Sequence, residues 1–275
     1  VRARVRQHVE REFLLHADTD GRRLRESLLK TVRLSSIEPR HFEHVQKTVL
    51  RMARRLASRH HKRHRGYRRG RQLHVSGTIR RNMGHLGMNG AIPALSWRRL
   101  DLKRAKLFAI CDVSGSVANY AYFMLLFLYA LGDLIPRTRT FAFSDRLNEI
   151  TALWQDRAPP ETIAEILRRN AGGPTDYGQA LMDLHRICLD DIDRRTTIII
   201  LGDARNNHGD PHTKLLQALY HRCKRLIWLN PNPRNTWSLG DSQMHTYRPF
   251  CHEVHVCNNL QHLEWLAENL MQSTP

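Results

Sequence analysis

The chain has 275 residues, 41% of them apolar, which is enough for a core in one domain of about 150–200 residues plus an extension. Its formal net charge of +18 is unevenly placed: residues 44–100 hold 15 Lys plus Arg and no acid, residues 1–43 hold 10 basic and 7 acidic, and residues 101–275 hold 19 of each. That partition excludes a uniformly basic, histone-like protein and points to a neutral globular domain carrying a basic arm.

In chain order, residues 1–58 read as a helical N-terminal region. Phe13, Leu14, Leu24, Leu28, Leu29 and Val32, then Val45, Val49, Met52 and Leu56, recur near helical spacing. Residues 59–94 read as a basic linker or arm, because the RHHKRHRGYRRG run is too charged to pack. From residue 95 to 275 the pattern is regular. Leu107–Cys111 is a buried strand, and Ala118–Leu134 a helix apolar almost all round. Arg139–Phe143 is a strand with Leu147–Leu153 as its hairpin partner, and Pro160–Asn170 and Asp176–Leu189 are helices. Thr196–Leu201 is a β-branched strand, Pro211–Cys223 a helix, Arg225–Leu229 and Glu253–Cys257 strands, and Leu260–Leu270 a closing helix. Strands alternating with helices imply an α/β domain with a mainly parallel, doubly wound sheet, preceded by a small helical, basic region.

Five cysteines, Cys111, Cys188, Cys223, Cys251 and Cys257, are odd in number and lack framework spacing, so they read as reduced thiols of a cytoplasmic protein. The most apolar stretch, Val117–Leu134, is interrupted by Asn119, Gly132 and Asp133, and suits a buried helix better than a membrane span. No N-terminal signal peptide is visible, and a start at Val1 rather than Met leaves room for an upstream segment.

Ligands of parallel sheets bind outside the carboxyl ends of the strands, and three segments deliver oxygen atoms there. They are Asp112-Val-Ser114-Gly-Ser116 after the first strand, Gly172-Gly-Pro-Thr175-Asp176 opening a helix, and Gly202-Asp203 after the TTIIIL strand. Carboxylate and hydroxyl oxygens are hard donors suited to Mg²⁺ or Mn²⁺. The alternate spacing of Asp112, Ser114 and Ser116 can aim all three at one centre, with Gly115 expected to let the backbone turn. Taken alone, DVSGS also fits an ordinary strand-to-helix turn with Ser116 as an N-cap.

DVSGS, the later GGPT and the strand-ending GD together resemble the metal-ion-dependent adhesion site of von Willebrand factor A (VWA) domains, a Rossmann-like fold. Asp112, Ser114, Ser116, Thr175 and Asp203 match that pattern position by position. Within the family, LFAICDVSGSVANYAYFMLLFLYAL, FAFSDRL and LIWLNPNPRNTWSLGDSQM are similar to the CoxE-like group, over roughly residues 95–272. Two departures stand out: a proline precedes Thr175 in its loop, and Ala204 follows Asp203 where the family often has glycine. The resemblance implies a non-catalytic, Mg²⁺-dependent (or Mn²⁺-dependent) binding module in which a partner's carboxylate completes the coordination. By the same resemblance its partners would be a MoxR-type AAA+ ATPase and a client protein, with metallocentre assembly the best-known client role.

Enzyme readings fare worse. There is no G-x-x-x-x-G-K-[ST] run and no G-x-S-x-G elbow, and Ser114 stands where an aspartyl-phosphate phosphatase needs a second acid. Strand alternation would put Cys251, His255 and Cys257 on one face as a soft-metal trio; the simpler reading is buried cysteines beside a surface histidine. Asp176, Tyr177, Arg205 and Asn206 are expected at the rim of the metal face or in capping and loop roles. Trp97, Trp154 and Trp228 read as packing residues, and Trp237 as a candidate for exposure at an interface. The alternative function is binding of nucleic acid or another polyanion by the arm at 44–100, with the neutral domain as scaffold. Only Tyr67 and Trp97 interleave with those charges, which leaves little platform for base stacking.

Overall fold

Apolar and β-branched runs build the main sheet. The computed structural model describes residues 30–37, 41–43, 45–51, 72–73, 97–98, 106–132, 135, 137–155, 158–170 and 173–272. The strands of the sheet are β1 (Lys106–Asp112), β2 (Arg137–Phe143), β3 (Leu147–Glu149), β4 (Thr196–Leu201), β5 (Arg225–Asn230) and β6 (Glu253–Val256). They lie in the order β3-β2-β1-β4-β5-β6, and every neighbouring pair is parallel except the β2–β3 hairpin. The hairpin strand stops at Glu149, short of the expected Leu153, because Thr151–Trp154 coils into a 3₁₀ turn. The strand order reverses between β1 and β4, and the crevice outside their carboxyl ends is where open α/β sheets bind ligands.

Among the described residues, the helices α1 (Ala118–Gly132), α2 (Pro159–Arg169), α3 (Tyr177–Cys188), α4 (Thr213–Arg222) and α5 (Leu260–Gln272) cover the two faces. Successive strand residues point to opposite faces, so the central strands β1, β4 and β5 feed two cores. Leu107, Ala109, Cys111, Ile199, Leu201, Ile227 and Leu229 pack with α1, α2 and α5. Phe108, Ile110, Ile198, Ile200, Leu226 and Trp228 pack with α3 and α4.

Helix α1 is apolar almost all round because most of its surface is covered. Phe123–Leu128 are buried without interruption. Leu34, Ile37, Val45 and Val49 of the N-terminal region join the same core, and Phe42 meets Tyr122 and Phe123 at ring separations of 5.3 and 5.0 Å. Gly115–Gly132 is long and apolar enough to cross a membrane by length and composition, and in this fold that surface is spent on the sheet, α2 and the N-terminal residues. Of the basic arm expected at 59–94, residues 72–73 are described, and Gln72–Leu73 pairs antiparallel with Trp97–Arg98. The rest of that arm and the helical pattern at 1–29 lie outside the described residues.

Two sequence expectations give way to packing. Trp237 is not exposed: the Arg234–Thr236 turn folds it back into the α3/α4 core, where its indole N–H donates to the Asn232 carbonyl at 2.9 Å. Cys251, His255 and Cys257 do not converge either. Cys251 ends the Arg248–Phe250 turn before β6 begins and packs towards α4, Cys257 lies in the opposite core, and His255 sits 3.1 Å from Glu253. Cys257 is buried as the simpler reading expects, while Cys251 and His255 are half-buried.

Candidate metal centre

Asp112 is the last residue of β1 and is fully buried. Its Oδ1 accepts the Ser114 N–H at 2.9 Å, an Asx-type turn that swings the chain across the sheet edge. Gly115–Val117 then form a 3₁₀ turn leading into α1. Ser114 Oγ lies 3.3 Å from Ser116 Oγ, and Ser116 Oγ lies 3.5 Å from Asp203 Oδ2. Ser116 is not a cap: the capping position is Ser114, whose side chain makes no cap hydrogen bond. Gly115 does not carry the turn either, since a Cβ there would meet nothing within 4 Å and its φ is not left-handed. The Asp112 carboxylate and the 3₁₀ turn do that work.

Asp203 stands two residues past β4, where Gly202 ends the strand. Its Oδ1 accepts the Arg205 N–H at 3.1 Å, and its carbonyl accepts from Asn230 Nδ2 at 3.2 Å. Ala204 is buried with φ of 63°. Arg205 Nε is 3.7 Å from Asp203 Oδ2, while its Nη1 donates to Asp241 Oδ1 at 2.7 Å.

The loop before α3 reaches the same edge through main-chain ties. The Asp176 N–H donates to the Ser144 carbonyl at 2.8 Å, and Asn207 Nδ2 donates to the Thr175 carbonyl at 2.8 Å. Asp176 itself caps α3 by accepting the Gln179 N–H at 2.8 Å. Thr175 is 8% exposed, and among the described residues its hydroxyl has no hydrogen-bond partner. Gly172 lies outside the described residues. Of the five expected donors, Asp112, Ser114, Ser116 and Asp203 therefore form one chain of contacts. Thr175 is held on the same edge by its backbone.

Tyr177 exceeds its expected place at the rim. It is buried, its hydroxyl donates to Asp112 Oδ2 at 2.7 Å, and the same oxygen accepts the Ala204 N–H at 3.0 Å. One phenol thus ties the end of β1 to the loop after β4. Its N–H is held by Asn206 Oδ1 at 2.6 Å, and its ring stacks on Trp228 at 5.5 Å and meets Phe143 edge-on at 4.9 Å. The Trp228 indole in turn donates to the Gly202 carbonyl at 2.9 Å. Only the position of Tyr177, two residues after Thr175, hinted at this; the role of Asp241 had no sequence signal.

Two buried acids stand at this sheet edge, and the charge of Asp203 disfavours ionisation of Asp112. Burial first, and the charge of Asp203 second, push Asp112 up from 3.8 to about 7, against the opposing hydrogen bonds from Ser114 and Tyr177. Burial likewise raises Asp203, with Arg205 opposing. A divalent cation inverts this logic by stabilising both ionised forms. Oxygens in adjacent positions around an Mg²⁺-sized ion lie ~3.0 Å apart, so spacings of 3.3 and 3.5 Å need only a small contraction. Among the described residues no three His, Cys, Asp or Glu side chains group to hold a metal. The donor set here is two carboxylates plus hydroxyls, all hard oxygen, and it fits such an ion.

Residues 43–266 match the family model described as VWA domain containing CoxE-like protein. No curated protein matches the sequence. Among solved structures, a von Willebrand factor type A protein from Catenulispora acidiphila is 13% identical with a TM-score of 0.43, over 66% of this chain and 44% of that one. This chain thus spans less than half of that protein's length. The manganese-loaded TRAP protein of Plasmodium vivax is 17% identical with a TM-score of 0.41, over 62% of this chain and 74% of that one. Proximal thread matrix protein 1 of the mussel byssus, with a zinc-occupied MIDAS motif, is 17% identical with a TM-score of 0.39, over 61% of this chain and 47% of that one.

Proposed function

The chain belongs to the family of CoxE-like proteins containing a VWA domain, and on that premise we propose that it is a non-catalytic, divalent-cation-dependent protein-binding module. The observation that carries the reading is the contact chain from Asp112 through Ser114 and Ser116 to Asp203, at the point where the strand order reverses. Asp112, Ser114, Ser116, Thr175 and Asp203 would hold Mg²⁺ or Mn²⁺. When bound, the cation supplies an incompletely satisfied position for a carboxylate oxygen of a partner.

The protein's own residues make that position selective. Asp112 and Asp203 match the charge of a divalent ion without exceeding it, so an incoming carboxylate meets no net negative charge and gains a coordination bond. The hydroxyls of Ser114, Ser116 and Thr175 add oxygens but no charge. Tyr177 orients Asp112 from behind, and the aromatic packing around it keeps water out of that side.

Membership of the CoxE-like family extends the proposal to the partners: a MoxR-type AAA+ ATPase and a client, in the cytoplasm, with metallocentre assembly as the client process. Capture of that ATPase by the full chain, with Mg²⁺ or with chelator, tests it. Capture should require the cation and fail for Asp112→Ala. If capture is indifferent to chelator and to Asp112→Ala, the adhesion-site mechanism is wrong. Retention of nucleic acid by both proteins without cation-dependent capture would favour the basic arm instead.

A further inference from the structure

Asp203 has one oxygen in use and one at the gap. Its Oδ1 accepts the Arg205 N–H, and its Oδ2 faces Ser116 Oγ at 3.5 Å. That same Oδ2 is the atom towards which the Arg205 guanidinium leans, at 3.7 Å from Nε. This is ion-pair range but too long for a hydrogen bond. The short, charge-assisted bond of Arg205 goes elsewhere, to Asp241 at 2.7 Å.

Asp241 is itself fixed. Its Oδ2 accepts the Asn207 N–H at 3.2 Å, and its carbonyl accepts the Asn206 N–H at 3.3 Å. Arg205 pairs with Ser242 in an isolated antiparallel bridge, and the Gln243 N–H donates to the Ala204 carbonyl at 2.7 Å. The two loops are therefore zipped together with the guanidinium between two acids. It bonds the one on the rim and leans on the one at the site. Arginine stays charged at any relevant pH and has five donors in a rigid fork. A modest rotation towards Asp203 would give it the oxygen a metal ion needs.

We propose that Arg205 is a resident cation competing with the divalent ion for Asp203 Oδ2, and that Asp241 is the tether that holds it back. This rests on the metal-site reading and deepens it: cation affinity is set by where Asp241 keeps a charge that cannot be titrated away. Without the tether the guanidinium closes on Asp203 and the site loses its ion. Without the guanidinium the ion meets no competitor.

Mn²⁺ binding to the full chain, followed by calorimetry or by the electron paramagnetic resonance signal of free Mn²⁺, tests this in four proteins: wild type, Arg205→Gln, Asp241→Asn and the double variant. Their circular dichroism and thermal unfolding establish that all four are folded. Arg205→Gln should tighten Mn²⁺ about tenfold and Asp241→Asn should weaken it about tenfold, each equal to about 1.4 kcal/mol. The double variant should bind like Arg205→Gln, because a tether has nothing to hold once the guanidinium is gone. Unchanged or weaker binding by Arg205→Gln overturns the competition. An Asp241→Asn loss of equal size in both backgrounds means that Asp241 acts only through its own field, and overturns the tether. If wild type binds no Mn²⁺ and neither does any variant, the metal-site reading falls together with this one.

Discussion

The Tyr177 hydroxyl and the Asp112 carboxylate share a 2.7 Å hydrogen bond inside the fold, and the same hydroxyl oxygen takes up the Ala204 N–H. The residue that orients the first acid thus also fixes the loop that presents the second. Removing the hydroxyl should disturb both ends.

Tyr177→Phe is accordingly expected to weaken Mn²⁺ binding about 10–100-fold, the usual effect of losing a group that orients a ligand. It should also destabilise the fold by about 1–3 kcal/mol, because the Ala204 N–H is left buried without a partner. Mn²⁺ titration and urea unfolding read the two effects separately. A stability loss with unchanged affinity would reduce Tyr177 to packing.

Gly202 lies directly beneath that phenol. A Cβ there would overlap the Tyr177 hydroxyl oxygen and come within 2.7 Å of Asp112 Cβ. Gly202→Ala should destabilise by about 3 kcal/mol, the upper end for overpacking. In the Tyr177→Phe background, where the hydroxyl is gone, the cost should be smaller. Equal costs in the two backgrounds would place the clash elsewhere.

Ala204 occupies a left-handed conformation at φ of 63°, which disfavours any residue with a Cβ. Ala204→Gly should stabilise the chain by about 0.5–1 kcal/mol after the extra unfolded-state entropy of glycine is taken off. Chemical denaturation with an unchanged slope checks it; a destabilised variant would show that the methyl group's burial outweighs the strain.

The pH dependence follows from Asp112. Its pKa is raised to about 7 in the fold from an ordinary 3.8, so the cation-free folded state holds this proton more tightly than the unfolded chain. The resulting stabilisation is complete below about pH 3.8 and is lost as pH rises through about 7. With chelator present, wild type should lose more stability between pH 5.5 and 8 than Asp112→Asn does. Saturating Mn²⁺ should remove that difference at the alkaline end. Below pH 7 the apparent Mn²⁺ affinity should fall by up to about tenfold per unit, as the proton and the ion compete for one carboxylate. Parallel stability profiles for wild type and Asp112→Asn would show that Asp112 is ionised throughout.

What was legible in the sequence was what is local. Strand β4 matches the TTIIIL run residue for residue, and Asp112 and Asp203 fall where short apolar runs end. The placement of Asp112 and Asp203 at the carboxyl edge followed from that alternation, while the five-residue donor set came from the motifs and the family resemblance. What was not legible depends on distant partners. Tyr177 acts on a residue 65 positions away and Arg205 on one 36 positions away, and neither pairing leaves a periodic trace. Gly115 looked like the residue that lets the chain turn, yet the Asp112 side chain makes the turn by binding Ser114. Trp237 looked exposed because its neighbours are polar, and a single turn reversed that.

The two ends of the sheet have a consequence for solubility. One outer strand is the three-residue β3, with Glu149 clasped by Arg139, and the other is the four-residue β6, with Glu253 held by Arg225 and His255. Short outer strands carrying charged side chains offer little free backbone on which another chain can add a strand. These blunted borders disfavour indiscriminate β-pairing.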